Sequence, residues 1–80
     1  MSYKKRLIIS SGKKVFRITL DSDSLLDVIL EKNRTVSEVT YMKGSKYVEG
    51  STERSYSKTY SFLELPEKYV EVLKESGLLS

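Results

Sequence analysis

Leu7 and Ile9 before Gly12, and Phe16, Ile18 and Leu20 after it, recur at every second position. A period of two puts such residues on one side of a β-strand, and a glycine between two such runs marks a hairpin turn. Residues 4–20 therefore read as a β-hairpin. The position of the turn decides which side chains face each other. With Gly12-Lys13 as a two-residue loop, Ile9 faces Phe16, Leu7 faces Ile18 and Lys5 faces Leu20. The other side then pairs Ser10 with Val15, Ile8 with Arg17 and Arg6 with Thr19. With Ser11-Gly12 as the loop, Leu7 faces Phe16 but Arg6 falls opposite Arg17, and like charges directly opposite are unfavourable. The first register is the expected one, with Leu7, Ile9, Phe16, Ile18 and Leu20 as the core face.

Asp21-Ser22-Asp23-Ser24 is a break built from turn and cap residues. The apolar run after it fits two periods. As a helix, Ser24 to Lys32 begins beside good N-caps and ends near Asn33. As a strand, Leu26, Val28 and Leu30 share a face, the chain turns at Lys32-Asn33, Ile29 faces Val36 and Glu31 faces Arg34. The tight Lys-Asn turn favours the strand. Residues 34–43 read as a further strand, and Gly44 and Gly50 bracket a polar connection from Lys43 to Thr52. Another strand spans 54–62. A helix follows at 66–76, with Pro66 at its first position and Gly77 beyond its end. Tyr69, Val70 and Leu73 form its apolar stripe, and Leu78 falls where a Schellman cap packs it on Leu73. The fold class expected is mainly β with a C-terminal helix: a small barrel or a twisted antiparallel sheet of about five strands, or α+β if 24–32 is helical.

The strand at 54–62 is unusual because neither of its sides is aliphatic. Arg54, Tyr56, Lys58, Tyr60 and Phe62 fall on one side, and Ser55, Ser57, Thr59 and Ser61 on the other. Rings alternating with cations suit a single nucleic-acid strand, because every base has a π-face and every phosphate calls for a cation; a sheet can also be laid in a duplex groove. The competing expectation is that Tyr56, Tyr60 and Phe62 close the core beneath the helix, with Phe62 the ring most suited to burial. Lys43, Lys46 and Tyr47 in the neighbouring connection would extend a phosphate-contacting rim or form a solvated loop. Lys4, Lys5 and Arg6 would form an electrostatic arm or simply keep the chain soluble.

Eighty residues make one domain, 1–80. A domain of this size buries roughly 60% of its unfolded surface, and without Cys it has no disulfide to add stability. Without His or Cys it also lacks the usual ligands of structural zinc and the commonest general base and strongest nucleophile. Its four glycines, at 12, 44, 50 and 77, form no phosphate loop. Asp21 and Asp23 lack the Gly and distal Glu of a calcium loop and read as turn formers; Glu64 and Glu67 flank a helix start, where acids complement the dipole. The expectation is a non-enzymatic protein with no catalytic residues, no metal and no cofactor. No long apolar run or signal pattern is present, which predicts a cytoplasmic protein without a membrane partner. The charged fraction of 31% leans towards a thermophile. Net charge is only +3, but it is uneven. Residues 1–20 carry Lys4, Lys5, Arg6, Lys13, Lys14 and Arg17 with no acid, and 41–60 carry Lys43, Lys46, Arg54 and Lys58 against Glu49 and Glu53. A positive pattern in two lobes favours a polyanionic partner.

The order of elements, carried by Ile8-Ile9, Gly12, Val15-Phe16-Arg17-Ile18, Asp21-Ser22-Asp23-Ser24-Leu25, Val39-Thr40-Tyr41 and Leu65 to Leu73, resembles the small SH3-like chromatin proteins of crenarchaea, the seven-kilodalton DNA-binding type. That resemblance implies an archaeal DNA-binding protein with an SH3-like barrel. Its three-stranded sheet, here 26–31, 34–42 and 54–62, would cover the minor groove while apolar wedges kink the duplex. The chain differs in having no Trp and in placing Asp27 and Glu38 in that sheet. Residues 57–78 also resemble the strand-Leu-Pro-helix opening of AbrB-type swapped-hairpin regulators, which implies a dimeric transcription regulator.

These strands converge on one expectation: a largely sequence-independent nucleic-acid-binding protein, DNA ahead of RNA, with no small-molecule substrate. Arg54, Lys58, Lys43 and Lys46 would meet phosphates, and Tyr56, Tyr60 and Tyr41 would meet bases. The alternative is a protein-interaction or assembly module, viral or accessory, acting as a homodimer through open strand edges.

Overall fold

The computed structural model describes residues 3–33 and 35–79. Five antiparallel strands, β1 (Lys4–Ser10), β2 (Lys13–Thr19), β3 (Ser24–Leu30), β4 (Val36–Lys43) and β5 (Tyr56–Ser61), form one open sheet in chain order. A 3₁₀ turn (Phe62–Glu64) leads into the helix α1 (Glu67–Glu75). The mainly-β class with a C-terminal helix therefore holds, in its open-sheet form with β1 and β5 as the edge strands among the described residues, and residues 24–30 form a strand. Among the described residues no helix is long and apolar enough to cross a membrane.

The first hairpin uses the register that charge repulsion argued against. Ser11 and Gly12 both have positive φ, 51° and 76°, so they form the two-residue turn whose twist matches that of the strands. Leu7 then faces Phe16, and Arg6 faces Arg17. The repulsion is tolerated because β3 brings Asp27 beside Arg17, whose Nε and Nη2 donate to the two carboxylate oxygens at 2.9 and 3.0 Å. This pairing raises the pKa of Arg17, chiefly through the hydrogen bonds to Asp27.

Between β3 and β4 the register shifts after Ile29: Ile29 faces Glu38 and Leu30 faces Val36. Ile29 does not face Val36 as the sequence reading had it, because Ser37 is an extra residue, its hydroxyl donating to the Ile29 carbonyl at 3.3 Å. The bulge lets both Val36 and Val39 reach the core, which strict alternation forbids. The expected Glu31–Arg34 pair lies outside the described residues.

The core is Ile18, Leu26, Val28, Val36 and Val39 from the sheet, with Tyr69, Val72 and Leu73 from α1. Val72 replaces Val70 in the buried stripe; Val70 is only half-buried. Leu7 and Ile9 lie on the core side but are 48% and 65% exposed, because α1 does not extend over β1. Phe62 is not core either: the strand ends at Ser61, and the 3₁₀ turn leaves the ring 39% exposed.

The end of α1 is closed twice. Gly77 at φ 79° lets the Leu78 and Gly77 N–H groups donate to the carbonyls of Leu73 and Lys74 at 2.9 and 3.1 Å, the Schellman pattern. From β1, Lys5 passes over the Phe16 ring (5.4 Å to the centroid) and its Nζ donates to the Ser76 carbonyl at 2.7 Å. An ammonium at this helix end also complements the dipole.

Replacing Lys5 with Met keeps the stem over Phe16 and removes the charge. Lys5→Met is expected to cost about 1 kcal/mol, lowering Tm by roughly 5 °C. An unchanged Tm in thermal denaturation would show that this tie contributes nothing.

Candidate nucleic-acid interface

The ladder strand is an edge strand. Register places Lys43 opposite Tyr56, Tyr41 opposite Lys58 and Val39 opposite Tyr60. Since Val39 is core, alternation puts Tyr56, Lys58 and Tyr60 on the helix-bearing side of the sheet. Ser57, Thr59 and Ser61 face the other way, where the Thr59 and Thr40 hydroxyls share a 3.0 Å hydrogen bond.

Pro66 opens α1, and the third helical residue, Tyr69, points down into this region. Its ring stacks on Tyr41 (centroids 5.6 Å apart, 24° between planes) and meets Tyr60 at 5.8 Å. Tyr41 in turn meets Tyr56 edge-on at 6.1 Å. Tyr69 is the buried hub of this four-ring cluster, Tyr41 and Tyr60 are half-buried, and Tyr56 is 53% exposed at its outer end. Cations ring it. Lys58 Nζ lies 5.2 Å from the Tyr60 centroid and Lys68 Nζ 5.1 Å from that of Tyr69, within cation–π range.

Tyr41, Lys43, Tyr56, Lys58 and Tyr60 are thus brought together. Arg54 is not, because β5 begins at Tyr56 and Arg54 lies in the exposed segment before it. Its carbonyl packs against Gly44, where a Cβ would come within 2.5 Å of that oxygen. Lys46 is also separate: its backbone N–H donates to Ser55 Oγ at 3.0 Å and its ammonium lies 5.8 Å from the Tyr47 ring. The 44–50 connection is a tied loop, with Gly44 N–H on the Asp23 carbonyl (2.9 Å) and Tyr47 and Val48 N–H on the Gly44 carbonyl (3.1 and 2.9 Å). Ser51 Oγ adds a bond to Asp23 Oδ1 at 3.0 Å. Asp21 organises the preceding turn, accepting from the Asp23 N–H (2.8 Å) and the Ser24 hydroxyl (2.9 Å). These bonds, with a smaller attraction from Lys43, hold its carboxyl below the ordinary value.

The sequence reading missed Lys68 and the linking role of Tyr69. The signal was present: Lys68 and Tyr69 are the second and third residues after Pro66, so both sit in the first helical turn over the preceding strand.

Burial, and then the neighbouring Tyr41, Tyr60 and Tyr56, push the Tyr69 hydroxyl from 10.0 to about 12. The folded state therefore favours the neutral phenol. The associated stability is fully present below pH 10, the ordinary tyrosine value, and is lost as pH rises towards about 12. A spectrophotometric titration should show a tyrosine ionisation near pH 12 that Tyr69→Phe removes. Persistence of that step in Tyr69→Phe would assign it to another residue.

Comparison with known proteins finds no match for this chain, whether among family models, curated proteins or solved structures.

Proposed function

We propose that the protein binds single-stranded nucleic acid, largely without sequence preference, along the β5 edge. The observation that carries this reading is the exposed Tyr56 ring at the end of a tyrosine cluster whose rim holds Lys58, Lys68 and Lys43. A base stacks on Tyr56, while the alternating lysines follow the backbone of the strand. The buried side of the cluster supports the platform: Tyr41 cannot tilt away without breaking its stack on Tyr69. Single strands suit the surface better than duplex because α1 rises from the same side of the sheet, beside the ladder. The role is binding and not catalysis, and DNA is the first nucleic acid to test.

Titration of a labelled single strand of about 20 nucleotides should give a Kd in the micromolar range that weakens with salt, log K falling by about 0.7 per phosphate contact. Tyr56→Ala should cost about 1–3 kcal/mol of binding, and Lys58→Ala should reduce the salt slope by about 0.7. No anisotropy change at protein concentrations near 100 micromolar (roughly the weak limit of non-specific binding) would overturn the reading.

A homodimer has its own supporting observation. β1 is the other free edge, and it carries the exposed Leu7 and Ile9. Antiparallel pairing of two β1 strands about Leu7 sets Lys5 opposite Ile9 and Arg6 opposite Ile8 of a second copy, so no like charges face each other. Sedimentation at micromolar concentration should then show a dimer that persists at high salt and that Ile9→Lys converts to monomer. A monomer throughout that range would dismiss it.

A further inference from the structure

The side of the sheet away from α1 carries a second basic site, which the ladder does not use. The 44–50 loop folds over one corner of that side and leaves an open cleft of about 600 Å³ against β1 and β2. Lys4, Arg6, Arg17 and Leu25 line it from the sheet, and Tyr47 and Val48 line it from the loop. We infer that this cleft binds a phosphate monoester attached to a planar ring, a ligand of mononucleotide size, with the phosphate on Arg6 and Arg17 and the ring on Tyr47.

The charges point to an anion. Arg6 and Arg17 are direct cross-strand partners. Asp27 matches Arg17 alone, and among the described residues neither Arg6 nor Lys4 has a carboxylate within 4.0 Å. Two acids also border the cleft, Asp21 and Glu49. Asp21 is engaged by the Asp23 N–H and the Ser24 hydroxyl, and Glu49 lies exposed on the loop. Lys5 borders the cleft too, but its ammonium is held at the Ser76 carbonyl. Lys4 and Arg6 are therefore the cleft's cations that hold no carboxylate or carbonyl among the described residues, next to a guanidinium already fixed in orientation. Arg17 gives Asp27 one hydrogen from Nε and one from Nη2, so its other N–H groups remain to meet phosphate in the forked geometry that guanidinium favours.

The apolar part of the lining accounts for the ring. Leu25 is buried although it faces away from α1, and Tyr47 and Val48 beside it are half-buried. An apolar and aromatic lining beside cationic side chains suits a ligand with a planar part and an anionic part, and the volume lies within the ordinary range for small-molecule pockets. The site lies on the opposite side of the sheet from Tyr56 and does not depend on the ladder binding nucleic acid.

The test is a set of nitrogen–proton correlation spectra of the labelled protein titrated with adenosine monophosphate, adenosine and inorganic phosphate separately. The monophosphate should shift the amides of Arg6, Arg17 and Tyr47 and saturate below about 1 mM, with adenosine and phosphate each at least tenfold weaker. Arg6→Ala should weaken the monophosphate about tenfold. That variant relieves a like-charge pair, so it should fold at least as well as the parent, and it should leave oligonucleotide binding at Tyr56 unchanged. Monophosphate shifts that fail to saturate by about 10 mM, that ignore Arg6→Ala, or that centre on Tyr56 and Lys58 would overturn the assignment.

Discussion

One short helix must cover one side of a five-stranded sheet, and it is too small to do so. Nine residues of α-helix are about 14 Å long and about 10 Å across, while five strands span about 20 Å between the outer strand axes. The helix is therefore placed where burial contributes most, over Ile18, Leu26, Val28 and Val39 in the three central strands. Leu73 and Val72 press into that centre, and Tyr69 extends the contact towards β4 and β5. The fold depends on the helix staying there. The Schellman closure at Gly77 and the reach of Lys5 from β1 to Ser76 tie its C-terminal end. The stack of Tyr69 on Tyr41 ties its N-terminal half.

What the helix leaves uncovered determines what the protein offers a partner. On the β1 side the remainder is aliphatic, Leu7 and Ile9 on a free edge. On the β5 side it is aromatic and cationic, Tyr56 and Lys58 on the other edge. The cations divide the same way. Lys5 serves the helix, Lys58 and Lys68 rim the tyrosine cluster, and Lys4 and Arg6 turn to the far side of the sheet beside Arg17. The N-terminal run Lys4-Lys5-Arg6 is therefore not one electrostatic arm, since a strand sends alternate side chains to opposite sides.

Much of this could be read from the chain, and the misreadings share a cause. Periods of two and the Pro66 and Gly77 signals located the hairpin, the strands and the helix, because these are local effects. The hairpin register could not be settled from β1 and β2 alone, because the group that neutralises Arg17 is Asp27 on a third strand. The Ser37 bulge was equally hidden, since its effect shows only when β3 supplies the partner. At the candidate site, Tyr56, Lys58, Tyr60 and Tyr41 are identifiable from alternation, whereas Arg54 falls outside the ladder because β5 begins at Tyr56, two residues later than the pattern predicts. Leu7 and Ile9 match the core pattern yet stay exposed, because pattern reports which side a residue faces, not whether anything covers that side.

The most direct test of the account is a map of the amides perturbed when the labelled protein is saturated with a short single-stranded oligonucleotide. Shifts should concentrate at Tyr41, Lys43, Tyr56 to Tyr60 and Lys68, around the exposed end of the tyrosine cluster. Shifts centred on Arg6, Arg17 and Tyr47, or no saturable shift at all, would contradict it.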